Sequence, residues 1–561
     1  MFKGHPRGLI VASLANMGER FGFYTMYAIF VLFIQAKYGF DATKSGFIWS
    51  SFLFSVYFLP LVGGLIADRL WGYGKTVKIG IVIMFFGYIL LAMPLKGDSS
   101  VWIVITALFI IAFGTGLFKG NLQALVGNLY DNPEYGAKRD AAFTIFYMCI
   151  NIGAMFAPTA AEAVNNFILK SHNYFYDAHI PSLAHNLLSN QLADPGELLA
   201  LAQRQDPAIT LETLKSFAES YVGVLSKSYH YGFGVACLSL IISALIFLGF
   251  KKYYKHADFT EKQKAANSEL KSQVVELSGE ETKKRILALI FVFFVVIFFW
   301  MSFHQNGLAM TFFARDYTQA TVNKFTNLWF DLFALLPIGL AVLGFVLLIR
   351  KVSEIKTRII GLAFLIGFSA LAYYRFNRFN DINPFTPQMF QHFNPFFIVA
   401  LTPIVLTVFS WLRNKGKEPS SPKKIGIGMI LTAIGFTVLI FASLGLPSPK
   451  SIGVTGGTVS DTLVSPYWLI LTYFILTIAE LFLSPIGISF VSKVSPPKYK
   501  GLMQGGWLAA TSIGSLLVGV VGAFWNVLPL TIFWSVLVVC CLLSASIIFI
   551  MLKWLERTTQ S

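Results

Sequence analysis

Four charged residues lie in stretches of this sequence that are otherwise apolar enough to cross a membrane. Glu19 and Arg20 are neighbours in "GERFGFYTMY" (18–27), Lys119 lies deep in the run 101–129, and Glu480 lies in 466–489. An ionised side chain at the bilayer centre costs between about 3 and more than 10 kcal/mol. Residues of this kind therefore point to a substrate or proton path. Helical spacing gathers polar neighbours around them. In the first span Asn16, Arg20, Phe23, Tyr24 and Tyr27 share one face, with Glu19 at its edge. Thr115, Lys119 and Gln123 form a similar stripe in the fourth, and Tyr147 and Asn151 lie four apart in the fifth. Trp300, His304 and Gln305 follow in the seventh, and Glu480 and Ser484 in the span that holds that carboxylate. A cavity lined by these faces holds two cations from the first half of the chain and one isolated carboxylate from the second. That arrangement suits a zwitterion: Arg20 and Lys119 for its carboxylate, Arg20 as a bidentate fork, and Glu480 for its ammonium group.

The elements that must position these residues are membrane helices. The chain has 561 residues, 55% apolar and 13% charged, where a soluble protein carries about 25% charged residues. Its mean hydropathy is +0.65. Fourteen apolar runs are read at 9–36, 46–67, 76–95, 101–129, 140–164, 229–250, 286–314, 332–349, 357–374, 387–412, 425–445, 466–489, 501–526 and 529–552. With a cytoplasmic N-terminus, the cytoplasmic segments hold 30 Lys and Arg and the external ones 12; Arg20 and Lys119 complete the 44. That is the positive-inside pattern, so the net charge of +16 reflects topology and calls for no nucleic-acid partner. Both termini fall inside. No cleavable signal is expected, since "MFKGHPRG" leads into a span too long for one. Cys149, Cys237, Cys540 and Cys541 all lie in apolar segments, which argues against a disulfide framework.

The expected fold class is an all-α polytopic membrane protein of the major-facilitator type, two six-helix halves plus two extra helices. The first half covers 1–251, with an external segment at 165–228 read as a small lid or spacer. A basic cytoplasmic linker (252–285) leads to the second half (286–553), with the extra pair at about 332–374 and a cytoplasmic tail at 554–561. In this architecture substrate binds near the midplane between halves that rock about it. "GGLIADRLWGYGKT" places Gly64, Asp68, Arg69 and Gly72 in a loop that resembles the superfamily's cytoplasmic latch.

Motifs along the chain resemble those of the proton-dependent oligopeptide transporters, the POT or PTR2 family. "ERFGFY" resembles the first-helix ExxERFxYY, "GTGLFKGN" (114–121) the fourth-helix GxGxxKPN, and "FYMCINIGA" (146–154) the fifth-helix signature. "QHFNP" (391–395), "ELFLSPIG" (480–487) and "MQGGW" (503–507) resemble segments of the eighth, tenth and eleventh family helices. The resemblance implies symport of di- and tripeptides with protons, with no cofactor beyond the coupling proton, in the plasma membrane. It implies that Arg20 and Lys119 contact the peptide carboxylate and that Glu480, Asn151 and Asn394 contact its amino end. Tyr24, Tyr57 and Trp507 would line side-chain pockets, and Glu19 and Glu480 would carry the proton coupling. The departures are Asn16 for a family Glu, Phe23 for Tyr, Gly120 for Pro, Tyr27 for Arg and His304 for Glu. The last two suggest that a Tyr27–His304 hydrogen bond replaces a gating ion pair. The extra pair also departs from the family members that place theirs between the halves.

The rival within the fold is a carrier of another anion or carboxylate such as nitrate, although Glu480 would then lack a ligand cation. A membrane enzyme or scaffold is the rival from another class. No HExxH, GxSxG, Walker A or CxxC pattern stands in a suitable context, so the chain does not read as an enzyme. The partners expected are peptides and the lipid bilayer, with no obligate protein partner.

Overall fold

A computed structural model of the chain describes residues 4–94, 100–131, 133–136, 138–258, 278–349, 355–453, 459–496 and 499–560. Fourteen helices among them are long and apolar enough to span a bilayer. A helix satisfies its own backbone hydrogen bonds, which hydrocarbon requires. Twelve form the core: helices 1 to 6 are Arg7–Tyr38, Ala42–Trp71, Tyr73–Ala92, Ser100–Asn128, Ala141–Ser171 and Leu214–Gly249. Helices 7 to 12 are Gly279–Asp316, Pro387–Asn414, Ser421–Ala442, Tyr467–Val494, Leu502–Gly522 and Leu530–Ile550. The inserted pair is Leu332–Ile349 and Ile355–Phe376. The even number of crossings leaves both ends of the chain on one face, called here the termini face.

The two halves repeat one another in their neighbour relations. Helix 1 lies against 5 and 6, helix 3 against 4 and 6, and helix 2 against 4. Six helices on, 7 lies against 11 and 12, 9 against 10 and 12, and 8 against 10. The seams between the halves repeat too: helix 2 meets helix 11, and its counterpart 8 meets helix 5. Close approach within a half depends on small residues. Helix 2 meets helix 4 where Gly63 lies on the Gly116 carbonyl, a position with no room for a Cβ.

Loops are short and capped. Gly39 ends helix 1 at φ +62, its N–H bonded to the Gln35 carbonyl, and Asp41 accepts from Lys44 N to start helix 2. Two expected boundaries need correction. Helix 6 starts at Leu214, not near 229. The polar stretch before 229 is its continuation beyond the apolar region, supported by Tyr221, whose hydroxyl donates to the Phe175 carbonyl. The cap between helices 5 and 6 is therefore two short helices, Ile180–Leu188 and Gly196–Gln205. Helix 7 likewise starts at Gly279, capped by Ser278. Of the expected linker, 259–277 lies outside the described residues. Its first part docks on the first half: Asn128 donates to the Ala257 carbonyl, and Gly74 N to Asp258 Oδ1.

The inserted helices lie against each other at Gly344 and Gly361, and hardly any of the second is buried. They form a hairpin at the rim of the core. Leu332 and Leu335 meet Met155 of helix 5, and Arg375 pairs with Asp331 at 2.7 Å.

Candidate functional site

Helix 1 carries Glu19 and Arg20, both buried. Arg20 Nε donates to Glu19 Oε2 and Nη2 to Oε1, each at 2.6 Å, so the fork is fully engaged by its neighbour in sequence. The guanidinium also lies 4.6 Å from the Phe23 ring centroid. Lys119 of helix 4 differs. Its ammonium sits 4.5 Å over the Tyr57 ring of helix 2, and it forms no ion pair among the described residues. A cation over an aromatic face gains about 0.5–2 kcal/mol, far less than a carboxylate partner offers. Lys119 is the cation with capacity left for a ligand.

From the other half, Glu480 of helix 10 accepts at Oε2 from Asn394 Nδ2 of helix 8 at 2.8 Å. Asn394 also donates to Thr477 Oγ1 at 3.1 Å. Glu480 has no cation within ion-pair distance among the described residues, while Tyr147 of helix 5 approaches it across the seam. Asn151, one turn along, donates to the Tyr147 carbonyl. Tyr24 and Tyr57 lie within Coulombic range of both Arg20 and Glu480. Tyr24, Tyr57, Lys119, Tyr147 and Asn394 keep part of their surface open, as residues lining a cavity do. Trp507 of helix 11 is buried with its ring on Gly487 of helix 10.

The expected Tyr27–His304 hydrogen bond is not present. Helix 7 leaves its regular turn after Phe303, and residues His304–Gly307 form a tighter 3-10 turn. That change of pitch sends His304 and Asn306 in different directions. His304 Nδ1 pairs with Ser515 Oγ of helix 11 at 3.0 Å, and its ring stacks on Tyr57 at 5.4 Å. The Tyr27 hydroxyl instead donates to Asn306 Oδ1 at 2.8 Å. Gly307 makes room for it, since a Cβ there would fall 2.6 Å from the Tyr27 oxygen.

The model of the POT family matches residues 74–275 and 377–534. The chain belongs to the POT family. It is thus a member of a transporter family rather than an enzyme, and a multi-pass membrane protein. The match resumes after helix 7 and the inserted pair. Among similar proteins, a peptide transporter named YePEPT from Yersinia enterocolitica is 26% identical, over 93% of this chain and 88% of that one. A di-/tripeptide transporter of Lactococcus lactis is 24% identical, over 91% and 88%. A solved POT family transporter in complex with a thioalcohol-conjugated peptide superposes with a TM-score of 0.66 at 20% identity, covering 99% of this chain and 98% of that one.

Within this POT-family chain, all the residues singled out from sequence are described. Asn306 escaped notice because its role depends on the broken turn. Arg315, at the far end of helix 7, pairs with Asp316 and donates from Nη1 to Gln35 of helix 1. Its charge beside Asp316 was visible in the sequence, but its reach to the opposite half was not. Asp68 of the loop motif accepts from Tyr73 within its own half at 2.9 Å.

Proposed function

We propose that this chain is a proton-coupled symporter importing di- and tripeptides through the cell membrane by alternating access, with both termini cytoplasmic. The observation that carries this reading is the separation of unspent charge. Among the described residues Lys119 in one half has no anion in ion-pair distance and Glu480 in the other no cation, and the Tyr57 ring under Lys119 lies within Coulombic range of Glu480. A peptide's carboxylate fits Lys119 and its ammonium fits Glu480, whereas an inorganic anion would leave Glu480 unmatched. The names of the relatives, peptide and di-/tripeptide transporters, support the same substrate class. Arg20, already held by Glu19, reaches a peptide carboxylate only as that pair loosens, and protonation of Glu19 would loosen it. Glu19 and Glu480 are therefore the coupling carboxylates.

The structure fits a state open toward the termini face. Among the described residues, three hydrogen bonds that cross between the halves, Tyr27 to Asn306, Arg315 to Gln35 and Thr386 to Glu162, lie toward the opposite face, while Tyr147 meets Glu480 deeper in the bundle. Each proton entering across 100 mV supplies about 2.3 kcal/mol, enough to accumulate a neutral dipeptide many-fold. The test is uptake of labelled Ala-Ala into proteoliposomes under an imposed pH gradient and membrane potential. Accumulation by the wild type and its loss in Glu480→Gln are expected; a wild type that does not take up Ala-Ala overturns the reading.

A further inference from the structure

Glu162 of helix 5 is a carboxylate that the transport cycle above does not use. Its Oε1 accepts from the backbone N of Thr386 at 3.2 Å and from Thr386 Oγ1 at 2.9 Å. Thr386 opens the Pro387–His392 turn that leads into helix 8, so these bonds tie one half to the other. They lie on the helix 5–helix 8 seam, the pseudo-symmetric partner of the helix 2–helix 11 seam.

Among the described residues, no cation lies within ion-pair distance of Glu162. Asp331 lies within Coulombic range and is itself held by Arg375 at 2.7 Å. His392, on the same turn as Thr386, bonds the Trp329 carbonyl through Nε2. Helices 1 and 6, which also lie against helix 5, bring no cation within ion-pair distance among the described residues. The polar groups around this seam are poorly served when it is closed. Among the described residues Thr159 Oγ1, one turn before Glu162, is buried without a partner, as are both amide atoms of Gln388. Such orphans weaken the closed seam, because opening it to water satisfies them.

Glu162 keeps part of its surface open, but closing this seam over the ionised group removes most of its water and leaves it with no cation in ion-pair distance among the described residues, whereas closing it over the neutral acid does not. The two Thr386 bonds do not oppose this, since the carbonyl oxygen of a neutral carboxyl accepts both. We propose that Glu162 is a proton-controlled latch between the halves: the seam closes over the neutral carboxyl and opens when the group ionises. The proposal rests on the alternating-access reading above. It assigns Glu162 a different task from the coupling carboxylates. The group meets water when its own seam opens, so it takes and returns its proton on the face opposite the termini and moves none across.

The test measures the seam directly. Spin labels at Phe167→Cys and Ile382→Cys, exposed positions on helix 5 and before helix 8, report its width in lipid nanodiscs. Cys237→Ser and Cys540→Ser remove the partly accessible native thiols. Raising the pH from 5 to 8 should move the wild type toward the longer separation, by at most about tenfold per pH unit as one proton requires. Glu162→Gln should hold the short separation throughout. Thr386→Val, which keeps the backbone donor but loses the hydroxyl, should displace the midpoint of the same transition. A wild-type pH response in Glu162→Gln, or an unmoved midpoint in Thr386→Val, overturns the latch. Gradient-driven Ala-Ala uptake should be slowed in Glu162→Gln, because peptide enters when this seam opens, and an undiminished rate counts against the latch. If the wild type itself does not accumulate Ala-Ala, the peptide reading fails, while the distance measurement still decides the latch.

Discussion

The Tyr27 hydroxyl donates to Asn306 Oδ1 at 2.8 Å, joining helix 1 to helix 7 where helix 7 loses its regular turn. The same break is braced from its own half. The Asn306 carbonyl accepts from Gln391 Nε2 at 2.5 Å and from the Tyr473 hydroxyl at 3.2 Å. The broken turn is thus a fixed platform, and the Tyr27 bond is the part that must be undone when the halves separate.

Tyr27→Phe removes that donor and little else. A net hydrogen bond is worth about 1 kcal/mol, so the equilibrium should move about fivefold toward the state open opposite the termini. Accessibility of single cysteines placed along that face measures the shift. His304→Gln should shift it less, because His304 bonds Ser515 within its own half and meets the other half only through its ring on Tyr57; an equal shift in both variants would discard this assignment.

Trp507 rests on Gly487 so closely that a Cβ at 487 would overlap the indole ring. Gly487→Ala must displace the ring or spread helices 10 and 11. Overpacking of this kind typically costs about 1–3 kcal/mol, read as a lower Tm of the purified carrier. If Trp507 lines a side-chain pocket, the discrimination between bulky and small dipeptides should change in the same variant. A lower Tm with unchanged selectivity would limit Trp507 to a packing role.

Glu418, in the turn between helices 8 and 9, is held by Arg413 at 2.6 Å and by Lys424 at 2.6 Å. The Arg413 hydrogen bond is the main reason its carboxyl is pulled down to about 2. A depressed carboxylate contributes stability above its unfolded value, near 4.3, and loses it as the pH falls toward the folded value. Arg413 is largely exposed, so the contribution is small. Glu418→Gln should show a modest Tm deficit at pH 7 that shrinks between about pH 4 and 2; a constant deficit across that range would point to lost packing instead.

Legibility in the sequence followed the physics of burial. Lys119 and Glu480 stood out because a charge deep in an apolar run is too costly to persist without a task, and helical spacing then placed their neighbours. Glu162 was equally visible but lay close to the expected end of its span at 164, where a carboxylate reaches water at little cost. Helix 5 in fact continues to Ser171. The start of helix 6 was misread for the converse reason: residues 214–228 are polar because the helix extends beyond the apolar region to carry the cap. The partner of Tyr27 depended on a local change of helical pitch imposed by contacts from helices 1, 8 and 10. No pattern along helix 7 alone contains that information.

The division of labour between the two N-terminal cations is the sharpest consequence of the geometry. Both were expected to hold the peptide carboxylate, yet Arg20 is doubly bonded to Glu19 and only Lys119 is uncommitted. Losing Lys119 should therefore cost affinity outright, whereas losing the Arg20 fork strands Glu19 and should damage stability as well. A hydrogen bond to a charged group is worth about 1.5–3 kcal/mol, so Lys119→Gln should weaken Ala-Ala binding by about 10- to 150-fold while leaving the Tm of the empty carrier nearly unchanged. Ala-Ala amide, which lacks the carboxylate, should bind the wild type and Lys119→Gln equally weakly. Isothermal titration of the four combinations isolates the coupling between Lys119 and the carboxylate. If the amide also loses affinity in Lys119→Gln, the lysine acts through the Tyr57 face it covers and not through the peptide's charge.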